Sequence, residues 1–252
     1  MPREIPPQTT PRNGVPDWPS YAAVLFDLDG VVTPTAEVHM RAWAEMFNAF
    51  LASRPEPQRP YTEDDYFAHV DGKPRYDGVR DFLASRGIVL PEGTPDDDPA
   101  EDTVCGLGNR KNATFNEVLA REGVTAYPGS VALLDHLATL GLPLGVVSSS
   151  KNAPAVLAAA GLTDRFAAVV DGKVATEAGL PGKPAPDTFV AAAKELGAAV
   201  GATVVLEDAV SGVQAAAAGD FGLVIGVDRG AGAQTLIDAG ADLVVSDLAE
   251  LI

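Results

Sequence analysis

From about Thr125 onward, short apolar runs alternate with helical stretches, and this alternation limits the possible folds more than any other feature of the chain. The runs are Leu142 to Ser148, Phe166 to Val170, Thr203 to Leu206, Leu223 to Val227 and Leu243 to Val245. Between them lie Ser130 to Leu140, Ala153 to Ala160, Asp187 to Leu196 and Val210 to Ala218, each of helical composition. Strands alternating with helices predict a parallel α/β sheet. The unbroken apolar character of the runs predicts strands covered on both faces. Ala22 to Phe26 adds one more such strand near the start of the chain.

The segment from about Thr35 to Glu122 reads differently. Ala36 to Leu51, Glu63 to Val70, Arg75 to Arg86 and Leu107 to Arg121 look helical, with no strong strand among them. Proline-rich breaks at Arg54 to Pro60 and Pro91 to Pro99 separate the pieces. The expected organisation is an α/β core, 21–34 and 123–252, interrupted by a helical domain at 35–122. Met1 to Ser20 holds six prolines and no apolar stretch. Residues 1–20 therefore read as a disordered lead-in and not as a signal peptide.

Polar residues gather where the strands end. Val24-Leu25-Phe26 runs straight into Asp27-Leu28-Asp29-Gly30, and a charge at the end of a buried strand needs a partner or a metal. Ser148 ends a second strand, and Glu207-Asp208 follow a third. Lys183 stands in a loop before the helix from Asp187. In a parallel sheet the carboxyl ends share one edge, where ligands bind. Taken singly, Ser148 would be a helix cap, Lys183 an exposed lysine and Glu207-Asp208 a solvated turn. Together they suit phosphoryl transfer. Carboxylates Asp27, Glu207 and Asp208 would hold Mg2+. An aspartate could serve as nucleophile, Lys183 and Ser148 would bind phosphoryl oxygens, and Asp29 would exchange a proton.

Composition removes several alternatives. The net charge of −17 argues against nucleic-acid binding. No apolar stretch approaches the ~20 residues of a membrane span. A single cysteine, Cys105, excludes an internal disulfide, and no Cys/His cluster offers a zinc site. The expected compartment is the cytoplasm. Gly106 to Lys111 starts like a dinucleotide fingerprint but follows no strand, and Gly182-Lys183-Pro184 is no phosphate-binding P-loop.

These motifs resemble those of the haloacid dehalogenase superfamily of phosphotransferases. The four appear as Asp27-Leu28-Asp29-Gly30, Ser148, Lys183 in Gly182-Lys183-Pro184-Ala185-Pro186-Asp187, and Glu207-Asp208. Within the superfamily the chain is most similar to the β-phosphoglucomutase group, which carries a helical cap after the first motif. Thr35-Ala36-Glu37-Val38-His39, leading into Arg41-Ala42-Trp43, matches that group's hinge. Gly72 and Arg75 match its cap phosphate clamp, and Ser150-Lys151-Asn152 the core segment sharing this task. Arg110-Lys111-Asn112 resembles a second basic cap segment. One departure is visible. Several mutases have a lysine just before the cap glycine, whereas this chain has Asp71, with Lys73 on the other side.

The resemblance implies a Rossmann-like core with a helical cap and a Mg2+-dependent enzyme. Asp27 would be the nucleophile and Asp29 the general acid/base. Mg2+ would sit on Asp27, the Asp29 backbone carbonyl, Glu207 and Asp208. The implied activity is interconversion of β-glucose 1-phosphate and glucose 6-phosphate through an aspartyl phosphate and a bisphosphate, by a monomer acting on a small molecule. The alternatives are a phosphatase of small sugar phosphates and a catalytically silent sugar-phosphate sensor. Dehalogenases of this fold usually lack the second aspartate, so Asp29 speaks against them.

Overall fold

The computed structural model describes residues 14–252. The strands are β1 (Ala23–Phe26), β2 (Leu144–Val147), β3 (Ala168–Val170), β4 (Thr203–Glu207), β5 (Leu223–Val227) and β6 (Leu243–Val245). They form one six-stranded sheet in the order β3-β2-β1-β4-β5-β6, and every pairing is parallel. Alternate residues of each strand face opposite sides. Val24 and Phe26 join an apolar layer with Leu133, Leu137, Val156 and Leu248, while Leu25 joins another with Phe189, Ala192, Val213 and Leu236. Helices therefore cover both faces. On the first lie α5 (Pro128–Thr139) and α6 (Ala153–Ala159), and on the second α8 (Asp187–Glu195), α9 (Val210–Ala218) and α10 (Ala233–Ala239).

Between β1 and α5 the chain inserts α1 (Thr35–Ala52), α2 (Glu63–His69), α3 (Arg75–Ser85) and α4 (Val104–Glu122). These helices bury an aromatic cluster of their own that includes Trp43, Phe47, Phe50, Tyr61 and Phe82. A capping box between Thr62 and Asp65 starts α2.

Three sequence expectations need correction. The lead-in assigned to residues 1–20 ends too late. Residues 1–13 lie outside the described residues, but Trp18 is 2% exposed, packs into the first apolar layer and donates its indole N–H to the Leu251 carbonyl at 2.9 Å. Next, α4 starts at Val104 and not at Leu107. Its two early glycines serve close packing. A Cβ on Gly106 would overlap the Glu101 carbonyl, and one on Gly108 would press on the Tyr76 ring. Finally, α7 (Gly172–Ala178) and α10 are short helices missed in the sequence, where a brief apolar pattern carries little periodic signal. Among the described residues no helix is long and apolar enough to cross a membrane.

Candidate active site

The strand order reverses at β1, between β2 and β4, and a crevice opens there beyond the carboxyl ends of the strands. Register fixes what lines it. Phe26 is level with Val146 of β2 and Leu206 of β4, so Asp27 and Glu207 leave the sheet side by side, with Ser148 one residue further along on the β2 side. The inserted helices form the opposite wall of a cavity of about 440 Å³. That is an ordinary size for a small-molecule site.

Lys183 is the electrostatic centre of the core side. Far from being an exposed loop lysine, it is 3% exposed, and its ammonium bonds to Asp27 Oδ1 and, at 2.5 Å, to Glu207 Oε1. Burial works against its charge, but these two carboxylates outweigh burial and raise its pKa. Glu207 accepts the Ala209 N–H with its other oxygen at 2.7 Å. A Cβ on Gly212 would overlap the Glu207 carboxylate, so glycine is required there.

Asp27 and Asp208 are compensated far less. Burial pushes both pKa values well up, Lys183 opposes this, and neighbouring carboxylates add to it: Glu207 and Asp29 for Asp27, Asp71 and Glu207 for Asp208. Two buried carboxylates with raised pKa values meet the electrostatic condition for a hard divalent cation. Gly30 has φ +92°, and a Cβ there would overlap the Asp208 carboxylate, so the turn after β1 brings the two acidic strand ends together. Among the described residues no three acidic, His or Cys side chains are already arranged around one point. A cation here would draw on Asp27 and Asp208 together with backbone or substrate oxygens. Glu207, named above as a ligand, accepts one hydrogen bond on each oxygen, from Lys183 and from the Ala209 N–H, and each oxygen keeps a further lone pair.

Asp29 faces the inserted helices. It accepts hydrogen bonds from the Thr35 hydroxyl and from Ser148 Oγ at 3.3 Å, with His39 Nε2 3.4 Å away. Burial alone would raise its pKa, but His39, Thr35 and Lys111 outweigh burial and hold it at about 2. His39 stacks on Phe115 and bonds through Nδ1 to Lys111. Lys111 is 3% exposed and lies 5.0 Å from the Trp43 ring centre. Burial, with repulsion from Arg75, brings its pKa down to about 7.

A second polar group lies further out. Arg75 donates to Asn112 Oδ1 at 2.8 Å and Asn109 Oδ1 at 3.3 Å, and Asn152 donates to the same Asn112 oxygen at 2.7 Å. Arg75 and Asn152, paired by sequence motif, are therefore joined through Asn112. Ser150 caps this turn by accepting the Asn152 N–H at 3.2 Å, and its own N–H donates to Ser148 Oγ at 3.1 Å. Lys151 stands exposed at the rim. The basic segment 110–112 divides. Lys111 and Asn112 turn inward, while Arg110 points away to the Pro99 carbonyl and Asp102.

The two walls also touch through the loop before α3. Ser211 donates to the Asp71 carbonyl at 3.0 Å, and Ser149 donates to the Gly72 carbonyl at 2.7 Å. Gly72 has φ +69° and no room for a Cβ beside Ser211 and Ala209. Neither serine was singled out by the sequence, because a lone serine after a strand or in a helix carries no distance information.

The chain is similar to several known proteins. The family profile described as haloacid dehalogenase-like hydrolase matches residues 21–220. A protein of Mycobacterium bovis called beta-phosphoglucomutase is 48% identical over 95% of this chain and 94% of its own length. A Bacillus subtilis protein of the same name is 31% identical over 91% of each chain. The crystal structure of beta-phosphoglucomutase from Clostridium difficile matches the fold with a TM-score of 0.74 at 24% identity, over 92% of this chain and 93% of that one. This chain belongs to the haloacid dehalogenase-like hydrolase family, within its β-phosphoglucomutase-like group.

Proposed function

We propose that this protein is a Mg2+-dependent β-phosphoglucomutase, converting β-glucose 1-phosphate to glucose 6-phosphate through a phosphorylated Asp27 and a glucose bisphosphate. The observation that carries this reading is the pair of phosphate-binding ends in one cavity. Lys183, Ser148 and Asp27 stand at one, and Arg75, Asn112 and Asn152 at the other. A mutase holds a phosphate at each end of its intermediate, whereas a simple phosphatase needs only one. The 48% identity to the mycobacterial mutase supports the same choice.

The steps follow from residue chemistry. Phospho-Asp27 is the resting donor. The sugar's 6-hydroxyl oxygen attacks its phosphorus while the P–O bond to Asp27 breaks, and Asp29 takes the hydroxyl proton. A carboxyl held near 2 is ionised at neutral pH, so Asp29 is in the base form this step needs. The bisphosphate turns end for end, and Asp27 attacks the phosphorus at position 1. Asp29 returns its proton to the departing oxygen and glucose 6-phosphate leaves. Lys183 and Ser148 hold the transferring group, and the Arg75–Asn112–Asn152 clamp fixes the other phosphate. Asp27, Glu207, Asp208 and the Asp29 carbonyl would hold Mg2+, which would neutralise charge on the transferring phosphoryl group. The inserted helices act as a cap that excludes water and so protects phospho-Asp27.

A coupled assay tests the reading. Enzyme, β-glucose 1-phosphate, Mg2+ and a trace of glucose 1,6-bisphosphate should reduce NADP+ through glucose-6-phosphate dehydrogenase without releasing phosphate. Phosphate released in step with substrate loss would instead identify a phosphatase.

A further inference from the structure

The loop between α2 and α3, residues 71–74, lies against three of the four motif segments of the core. The Ser149 hydroxyl, next to Ser148, donates to the Gly72 carbonyl at 2.7 Å. The Ser211 hydroxyl, shortly after Asp208, donates to the Asp71 carbonyl at 3.0 Å. Gly182, just before Lys183, meets the Pro74 ring so closely that a Cβ there would overlap it. One short loop of the cap thus touches the core beside each group that follows Asp27 and Asp29 in the motif series.

Few other bonds tie the cap to the core. Asp29 bonds to Thr35 and approaches His39 at the hinge where the cap begins, and Asn152 bonds to Asn112 inside the clamp. Beyond these, among the described residues, the two serines make the only side-chain hydrogen bonds between core and cap. The Asn152–Asn112 bond lies at the proposed second phosphate end, where a phosphate competes for the same donors. The serine bonds run to backbone carbonyls and need no ligand. A serine hydroxyl early in a helix ordinarily bonds locally. That of Ser211, a residue 7% exposed near the start of α9, crosses to the cap instead.

We infer that Ser149 and Ser211 form a latch, their hydroxyls holding the cap loop shut over the reacting end and so deciding whether phospho-Asp27 discharges to a sugar hydroxyl or to water. This rests on the phospho-Asp27 reading above and names the residues that set its selectivity. In the unwanted discharge a water oxygen bonds to the phosphorus as the P–O bond to Asp27 breaks. Asp29 takes a proton from that water, and inorganic phosphate leaves. The serines act through the loop they hold and are positioning residues.

The test compares wild type with Ser149→Ala, Ser211→Ala and the double variant. Each protein is phosphorylated with acetyl phosphate and freed of the donor, and loss of the adduct is followed by intact mass. One missing hydrogen bond should shorten the adduct's lifetime about two- to tenfold, and two about ten- to a hundredfold. With β-glucose 1-phosphate, the phosphate released per glucose 6-phosphate formed should rise in the same order, a ratio that loss of folded protein does not move. Small-angle X-ray scattering reads the latch without any chemistry, and the double variant should have the larger radius of gyration. A wild-type lifetime in the double variant, or an unchanged radius of gyration, would overturn the inference. A wild type that takes no phosphoryl group, with the double variant still expanded, would overturn the phospho-Asp27 reading and leave the latch standing.

Discussion

Glu207 holds Lys183 at 2.5 Å and accepts the Ala209 N–H with its other oxygen, so the residue that reads in sequence as a metal ligand is also the lysine's anchor. Lys183 in turn is the cation closest to Asp27. Replacing it with Met leaves two buried carboxylates without their counter-charge. Loss of one partner of a buried pair typically costs about 3–5 kcal/mol. Lys183→Met should therefore lower the urea midpoint of the metal-free protein, and added Mg2+ should restore part of the loss. A midpoint unchanged in both conditions would show that Lys183 is not the compensating charge.

Asp27→Asn keeps the shape of the site and removes the nucleophile. Turnover of β-glucose 1-phosphate should fall at least about a thousandfold, the scale set by losing a covalent step. Intact-mass measurement after brief exposure to acetyl phosphate should find a phosphoryl adduct on wild type and none on the variant. Substantial turnover by the variant would remove Asp27 from that role.

Arg75 is joined through Asn112 to Asn152, at the end of the cavity proposed to hold the second phosphate. Arg75→Ala should reduce kcat/KM for β-glucose 1-phosphate by about ten- to a hundredfold. Hydrolysis of p-nitrophenyl phosphate, which has no second phosphate, should fall much less. Equal losses on both substrates would contradict a distal clamp.

Lys111 gives a pH signature. Its pKa of about 7 in the fold lies below the 10.5 of an exposed lysine. Between these values the unfolded chain binds the extra proton, so this group makes stability rise with pH, and the cost of its buried charge is full below about 7. Lys111→Met should remove that slope and stabilise the protein below neutral pH by a few kcal/mol. Urea unfolding of both proteins from pH 6 to 10 measures the difference. Parallel curves would mean that Lys111 does not titrate in this range.

Much of this site is legible in the sequence because strand ends in a parallel sheet share an edge. Asp27, Ser148 and Glu207 need only their strands to be recognised for the register to bring them together. Side-chain direction is a different matter. Arg110 and Lys111 are neighbours on α4, yet one turns to Asp102 and the other to His39, since adjacent helical positions point about 100° apart. The contacts of Ser149 and Ser211 with the Asp71–Gly72 loop depend on how the inserted helices lie against the core, which no local pattern encodes. Trp18 is a similar case. Its prolines read as a loose lead-in, but its partner Leu251 lies at the far end of the chain.

In the proposed reaction phospho-Asp27 gives a phosphoryl group to the sugar's 6-hydroxyl and Asp27 takes one back from position 1, with none lost to water. Phosphorus NMR of one sample follows every species at once: β-glucose 1-phosphate, the bisphosphate, glucose 6-phosphate and inorganic phosphate. With Mg2+ and a trace of bisphosphate, the first signal should be replaced by that of glucose 6-phosphate, with the bisphosphate constant and no phosphate peak growing. A phosphate peak that rises as the substrate falls, with no glucose 6-phosphate, would contradict the account.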